Sequence, residues 1–132
     1  MNNGPIHFHS SCLKTLSAVE ASRNRSNQHE FNGVIPLKRM FGPEYFKKQA
    51  TFSVRGQQGA CKADITWYDA RENHDTRSEH RLYFATNPVM DQAQEGDNVI
   101  VGFDLQGQIQ IVLIKSNTSE HTGRIPRWID LS

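Results

Sequence analysis

The chain has 132 residues, 36% of them hydrophobic and 22% charged, which suits one core and one domain. Lys and Arg number 15 and Asp and Glu 14, a balance that excludes a histone-like polybasic chain and an acidic tail but leaves room for a DNA reader with its cations on one face. No apolar run approaches the roughly 18 residues that span a bilayer, and Met1-Asn2-Asn3-Gly4-Pro5 lacks the parts of a signal peptide, so the expected setting is cytoplasmic and the expected partners include no membrane.

In chain order, His7-Phe8-His9 can open a first strand. Residues 14 to 30 (KTLSAVEASRNRSNQHE) are polar and rich in cations and amides. Phe31 to Leu37 reads as a turn feeding a short apolar strand that Pro36 ends, and Lys38 to Phe41 as one or two helical turns stopped by Gly42-Pro43. Thr51 to Arg55 alternates polar and apolar, as a half-buried strand does. After the turn cluster Gly56-Gln57-Gln58-Gly59 comes the β-rich run Ala63 to Tyr68. Residues 69 to 81 (DARENHDTRSEHR) carry no large apolar side chain and should project into solvent; Leu82-Tyr83-Phe84 returns to the core. Val89 to Gln94 is the second helical piece. Asn98 to Phe103 and Ile109 to Ile114 are the clearest strands, joined by a hairpin over residues 104–108, with Val99, Val101, Phe103 and Ile109, Ile111, Leu113 expected on one face each. Many short strands at regular spacing predict an antiparallel β-barrel or sandwich.

Catalytic patterns are scarce. The chain holds no nucleophile elbow, P-loop, dinucleotide fingerprint or H-E-x-x-H motif. It also lacks the clustered carboxylates and lysine with which a nuclease holds Mg²⁺. His7-x-His9 could put two ligands on one face of a strand, without evident partners. Cys12 and Cys61 fit neither a disulfide framework nor zinc spacing and read as two buried free thiols. No metal or other cofactor is expected.

Binding chemistry is better represented. The first polar segment holds Lys14, Arg23, Arg25, Asn27, Gln28 and His29; the second holds Arg71, Arg77, Ser78, Glu79, His80 and Arg81. Arg reads guanine, Asn and Gln read adenine, and Glu accepts from the cytosine amino group, so a mixed set suits base edges where a lysine run suits phosphates. Composition equally allows the second segment to be a solvated loop of weak ion pairs, with Asp69, Glu72, Asp75 and Glu79 against its arginines, or a protein contact.

The order of these pieces carries a resemblance. Lys14-Thr15-Leu16-Ser17-Ala18, then His29, then Ile35-Pro36 resembles the start of the N-terminal effector domain of EcoRII-type restriction endonucleases. Thr76-Arg77-Ser78-Glu79-His80-Arg81 resembles that family's Thr-Arg-Asn-Glu-Lys-Arg, with Trp67-Tyr68 at the distance of the family's two aromatics and Arg71 on a family arginine. Leu82-Tyr83-Phe84-Ala85-Thr86, followed by Glu95-Gly96-Asp97 and the apolar Asn98 to Phe103, is similar to the late strands of plant B3 DNA-binding domains.

The resemblance implies a B3-like pseudobarrel of about seven strands with two short helices. It implies an N-arm over about 14–30 and a C-arm over about 69–81, both laid in the major groove of double-stranded DNA, and a CC(A/T)GG-like site. It also implies a monomeric, non-catalytic targeting domain with a covalently linked nuclease domain elsewhere in a prokaryotic parent protein. Lys14 and His29 match family N-arm contacts; Arg77, Glu79 and Arg81 match the C-arm set. Asp75 and His80 stand where the family has lysines, and the N-arm is slightly longer. In an extended arm Arg77, Glu79 and Arg81 would share one edge, with Ser78 and His80 facing away. The rival readings are a small histidine-based metal-dependent hydrolase, using His7, His9 or the His74/His80 pair, and a protein-interaction module.

Overall fold

The computed structural model describes residues 6–25, 29–33, 35–71 and 79–131, with backbone alone for residues 23–25. It is mainly β, a single sheet curled into a half-barrel. The strands are β1 (Phe8–Thr15), β2 (Glu30–Gly33), β3 (Phe46–Val54), β4 (Cys61–Asp69), β5 (His80–Phe84), β6 (Asn98–Asp104), β7 (Ile109–Ile114) and β8 (Ile129–Asp130). Helices α1 (Ala18–Arg25) and α2 (Ile35–Phe41) and a 3₁₀ turn (Met90–Gln92) lie between them. The strand order is β2-β5-β4-β3-β7-β6-β1-β8, antiparallel throughout except for the β3–β7 pair. No described helix is long and apolar enough to cross a membrane.

Alternation builds the core. Ala63, Ile65 and Trp67 of β4 point inward with Leu82 and Phe84 of β5 and Phe52 of β3. Burying side chains of this size stabilises the fold by about 1.5–3 kcal/mol each. β6 and β7 are apolar on both faces because both are covered. Val99, Val101, Ile109, Ile111 and Leu113 enter the main core, with Phe103 packed at its rim. Ile100, Val112 and Ile114 join Leu13 in a second cluster, capped by Ile6, Phe8 and Ile125. The expected phase of both strands therefore holds. Gly102 lets β1 cross β6 closely: a Cβ there would stand 2.5 Å from the Ser10 carbonyl oxygen. At the two ends of the sheet, Trp128 meets Phe31 edge-on at 5.6 Å between ring centres, which narrows the seam of the half-barrel.

Three expectations change. The strand over Phe31–Leu37 stops at Gly33, and Ile35-Pro36 opens α2, because proline in a first helical turn forgoes no hydrogen bond. Helix α2 ends on Gly42, whose φ of 77° suits a left-handed stop. The piece over Val89–Gln94 shrinks to the 3₁₀ turn, where the Asn87 Oδ1 accepts the Met90 N–H at 3.0 Å. Finally, the first polar segment is not all a projecting arm: Lys14 and Thr15 belong to β1, and α1 follows. A capping box starts that helix. The Ser17 Oγ accepts the Glu20 N–H at 3.2 Å, and the Glu20 carboxylate accepts the Ser17 N–H at 3.1 Å.

Candidate nucleic-acid interface

The second polar segment springs from the ends of β4 and β5, and its described part is an ordered ion cluster. Asp69 closes the mouth of the loop: its Oδ1 accepts the backbone N–H of Glu79 at 2.7 Å and of Arg71 at 2.9 Å, and Ala70 N–H donates to the Glu79 carbonyl at 2.7 Å. These two N–H donors, Glu79 first, hold the Asp69 carboxyl below the ordinary carboxylate range. β5 then alternates. His80, Leu82 and Phe84 are buried, while Arg81 and Tyr83 face outward.

Arg81 is the centre of the cluster. Its Nη2 and Nε donate to the same Glu79 oxygen at 2.6 and 3.1 Å, and its Nη1 reaches Glu30 of β2 at 3.4 Å. Arg71 Nε stands 3.8 Å from the other Glu79 oxygen. The Tyr68 hydroxyl of β4 donates to the second Glu30 oxygen. The register explains the meeting, since Arg81 lies opposite Tyr68 on one side and opposite Asn32 on the other. Directly paired residues point to the same face. The Arg81 hydrogen bond pulls the Glu79 carboxyl down, and Glu79 in turn raises the Arg81 guanidinium. Burial, then Glu30, raises the Tyr68 hydroxyl. Arg81 and Glu79 are 36% and 38% exposed, so a ligand can compete for both.

The residues expected to touch DNA divide into four groups. Arg71, Glu79 and Arg81 come together at the surface. His29 and His80, expected as DNA contacts, are instead buried, at 6% and 5% exposure. His29 stacks on Phe84 at 5.2 Å, and His80 stacks on Trp67 at 5.0 Å while its Nε2 donates to the Pro43 carbonyl at 2.9 Å. Both rings therefore serve the core, because strand alternation turns them away from the Glu79–Arg81 edge. Lys14 is 13% exposed and bound to Glu20, with its Nζ also 3.1 Å from the Thr15 carbonyl; as it stands it anchors α1. Asn27, Gln28, Arg77 and Ser78, and the side chains of Arg23 and Arg25, lie outside the described residues.

Sequence reading missed Glu30 and Tyr68 as parts of this cluster, and gave Asp69 only as one acid of a solvated, ion-paired loop. Period-two alternation against the inward Trp67 would have placed Tyr68 outside, and the flanking acids were visible as counterions. Only the strand order brings Glu30 beside Arg81.

Other chemistry is thin among the described residues. No group of three or more His, Cys, Asp or Glu is gathered to hold a metal ion. Both cysteines are free; burial and then Asp130 push the Cys12 thiol up to about 11, so it is a poor nucleophile at neutral pH. Comparison with protein-family models, curated proteins and solved structures found no match for this chain.

Proposed function

We propose that this chain is a sequence-specific double-stranded DNA-binding domain, the non-catalytic targeting module of a type II restriction endonuclease whose nuclease lies in a covalently linked domain. The reading draws on the resemblance to the EcoRII-type N-terminal domain and its B3-like pseudobarrel. The observation that carries it is the Arg71–Glu79–Arg81 cluster, held half-exposed at the mouth of a polar loop on two rigid strands. Rigid scaffolds with chemically rich loops are the usual carriers of recognition. Two arginines and a glutamate form the complement of a CC:GG step, where guanine offers O6 and N7 acceptors and cytosine an amino donor. In the free protein Glu79 offsets Arg81; on a cognate site Arg81 turns to guanine and Glu79 to the cytosine amino group. Arg77 is the second guanine reader of the set, and the arginines of α1 neutralise phosphates. The domain acts as a monomer in a prokaryotic cytoplasm.

Enrichment of random duplexes on the isolated chain tests the proposal. A CC(A/T)GG-like motif should emerge, with affinity falling steeply as salt rises, by about one log unit per log salt for each phosphate neutralised. With Mg²⁺ added, the chain alone should not cut the enriched duplex. An unenriched pool, with no salt dependence, would transfer the cluster to the protein-interaction reading.

A further inference from the structure

The polar arms are not the whole of the charged surface. A groove of about 490 Å³ runs along the seam of the half-barrel, between Asn32 of β2 on one side and Pro126, Arg127 and Trp128, just before β8, on the other. Lys14 and Glu20 also line it, and they neutralise each other. That leaves Arg127 as the groove's uncompensated charge; it is exposed and has no ion-pair partner among the described residues.

Resting on the DNA-binding reading, we propose that this seam continues the DNA interface, with Arg127 gripping the sugar-phosphate backbone beside the duplex step read by Arg81. Contiguity is the first support. Asn32 is exposed in the groove and is the direct cross-strand partner of Arg81, so the β2 wall of the groove and Arg81 lie side by side on one face of β2 and β5. The second is rigidity. The segment leading to Arg127 is pinned to β1 and β6. Ile125 N–H donates to the Thr15 Oγ1 at 2.7 Å, the Thr15 N–H donates to the Ile125 carbonyl at 2.7 Å, and Asn98 Nδ2 donates to the Gly123 carbonyl at 3.1 Å. Arg127 thus stands two residues beyond a fixed frame. The third is chemistry. A planar guanidinium without a counterion binds a phosphate with two parallel hydrogen bonds, and a fixed cation beside a base-reading set fixes register without carrying sequence information.

The test is a salt titration of cognate and random duplex binding by the wild-type chain, Arg127→Ala and Lys62→Ala. Lys62 is an exposed cation at the far end of β4 and serves as the control. Arg127→Ala should weaken both duplexes alike, roughly three- to tenfold at low salt, and reduce the salt slope by about one, while Lys62→Ala leaves both unchanged. Ethylation interference should lose one phosphate at the edge of the footprint. Wild-type binding with an unaltered slope in Arg127→Ala would overturn the seam and leave the DNA reading standing. A loss confined to the cognate duplex would make Arg127 a base reader and likewise overturn its assignment to the backbone. Failure of the wild-type chain to bind any duplex would overturn both.

Discussion

Two polar clusters in this molecule use similar groups to opposite ends. One is buried: Asn98 donates to Thr15 Oγ1 at 2.8 Å and accepts the Thr122 N–H at 2.8 Å, and beside it Asp97 takes Lys115 Nζ at 2.6 Å and the Ser116 N–H at 3.0 Å. Both Asn98 and Asp97 are fully enclosed. The other is the Glu79–Arg81–Glu30–Arg71 cluster, partly exposed to water at every member. In the buried cluster the hydrogen bonds are obligatory, because an unpaired partner would keep its whole desolvation penalty. In the exposed cluster each bond competes with water at little net gain. The first can therefore fix the C-terminal segment in place. The second can be exchanged for a ligand.

Breaking the buried cluster should give the largest effect. Asp97→Ala leaves Lys115 without its counterion and strands the N–H groups of Gln94 and Ser116. Loss of one partner of a buried pair costs about 3–5 kcal/mol, which chemical denaturation would read directly. A loss below about 1 kcal/mol would mean that water replaces the carboxylate and that the cluster is not obligatory. Arg81→Ala sharpens the contrast from the other side. Its unfolding midpoint should hardly move, while binding to the cognate duplex weakens by about 1–3 kcal/mol and preference relaxes at one guanine. Equal losses on cognate and random duplexes would make Arg81 a backbone contact.

The sequence was most legible where one physical rule acted alone. The alternation of Val99, Val101 and Phe103 and of Ile109, Ile111 and Leu113 gave the inner face of β6 and β7, since only burial sets that pattern. It was less legible where two signals overlapped. Ser17 to Glu20 spells a capping box, yet the cations and amides after it read as an arm, and α1 was missed. Pro36 can end a strand or open a helix, and only the end of β2 at Gly33 decides. For the candidate site, the Glu79–Arg81 edge was readable from a spacing of two, and the same spacing turned His80 inward. The roles of Glu30 and Asn32 depend on β2 pairing with β5, a contact between strands about 50 residues apart in sequence that no local pattern encodes.

The smallest effect tests whether Glu79 is held as a charge. Its carboxyl and that of Asp69 lie below the ordinary carboxylate range in the folded protein, held by Arg81 and by backbone N–H groups respectively. A folded pKa below the unfolded one contributes stability that is complete above the unfolded value and lost as pH falls through the folded value. The unfolded value for glutamate is about 4.3. Glu79→Gln keeps the shape and removes the charge. The stability difference between wild type and Glu79→Gln should therefore be small, constant at neutral pH, shrink once the pH drops below the unfolded value of about 4.3, where the unfolded chain takes up its proton first, and be gone once the pH has passed below the lower folded value. At neutral pH the same substitution should hold or raise affinity for random DNA, because a charge that repels phosphate is gone, while discrimination for the cognate duplex falls. A stability difference that persists unchanged into acid would show that it does not come from the Glu79 charge, and the exchange of Arg81 between carboxylate and guanine would then lose its electrostatic basis.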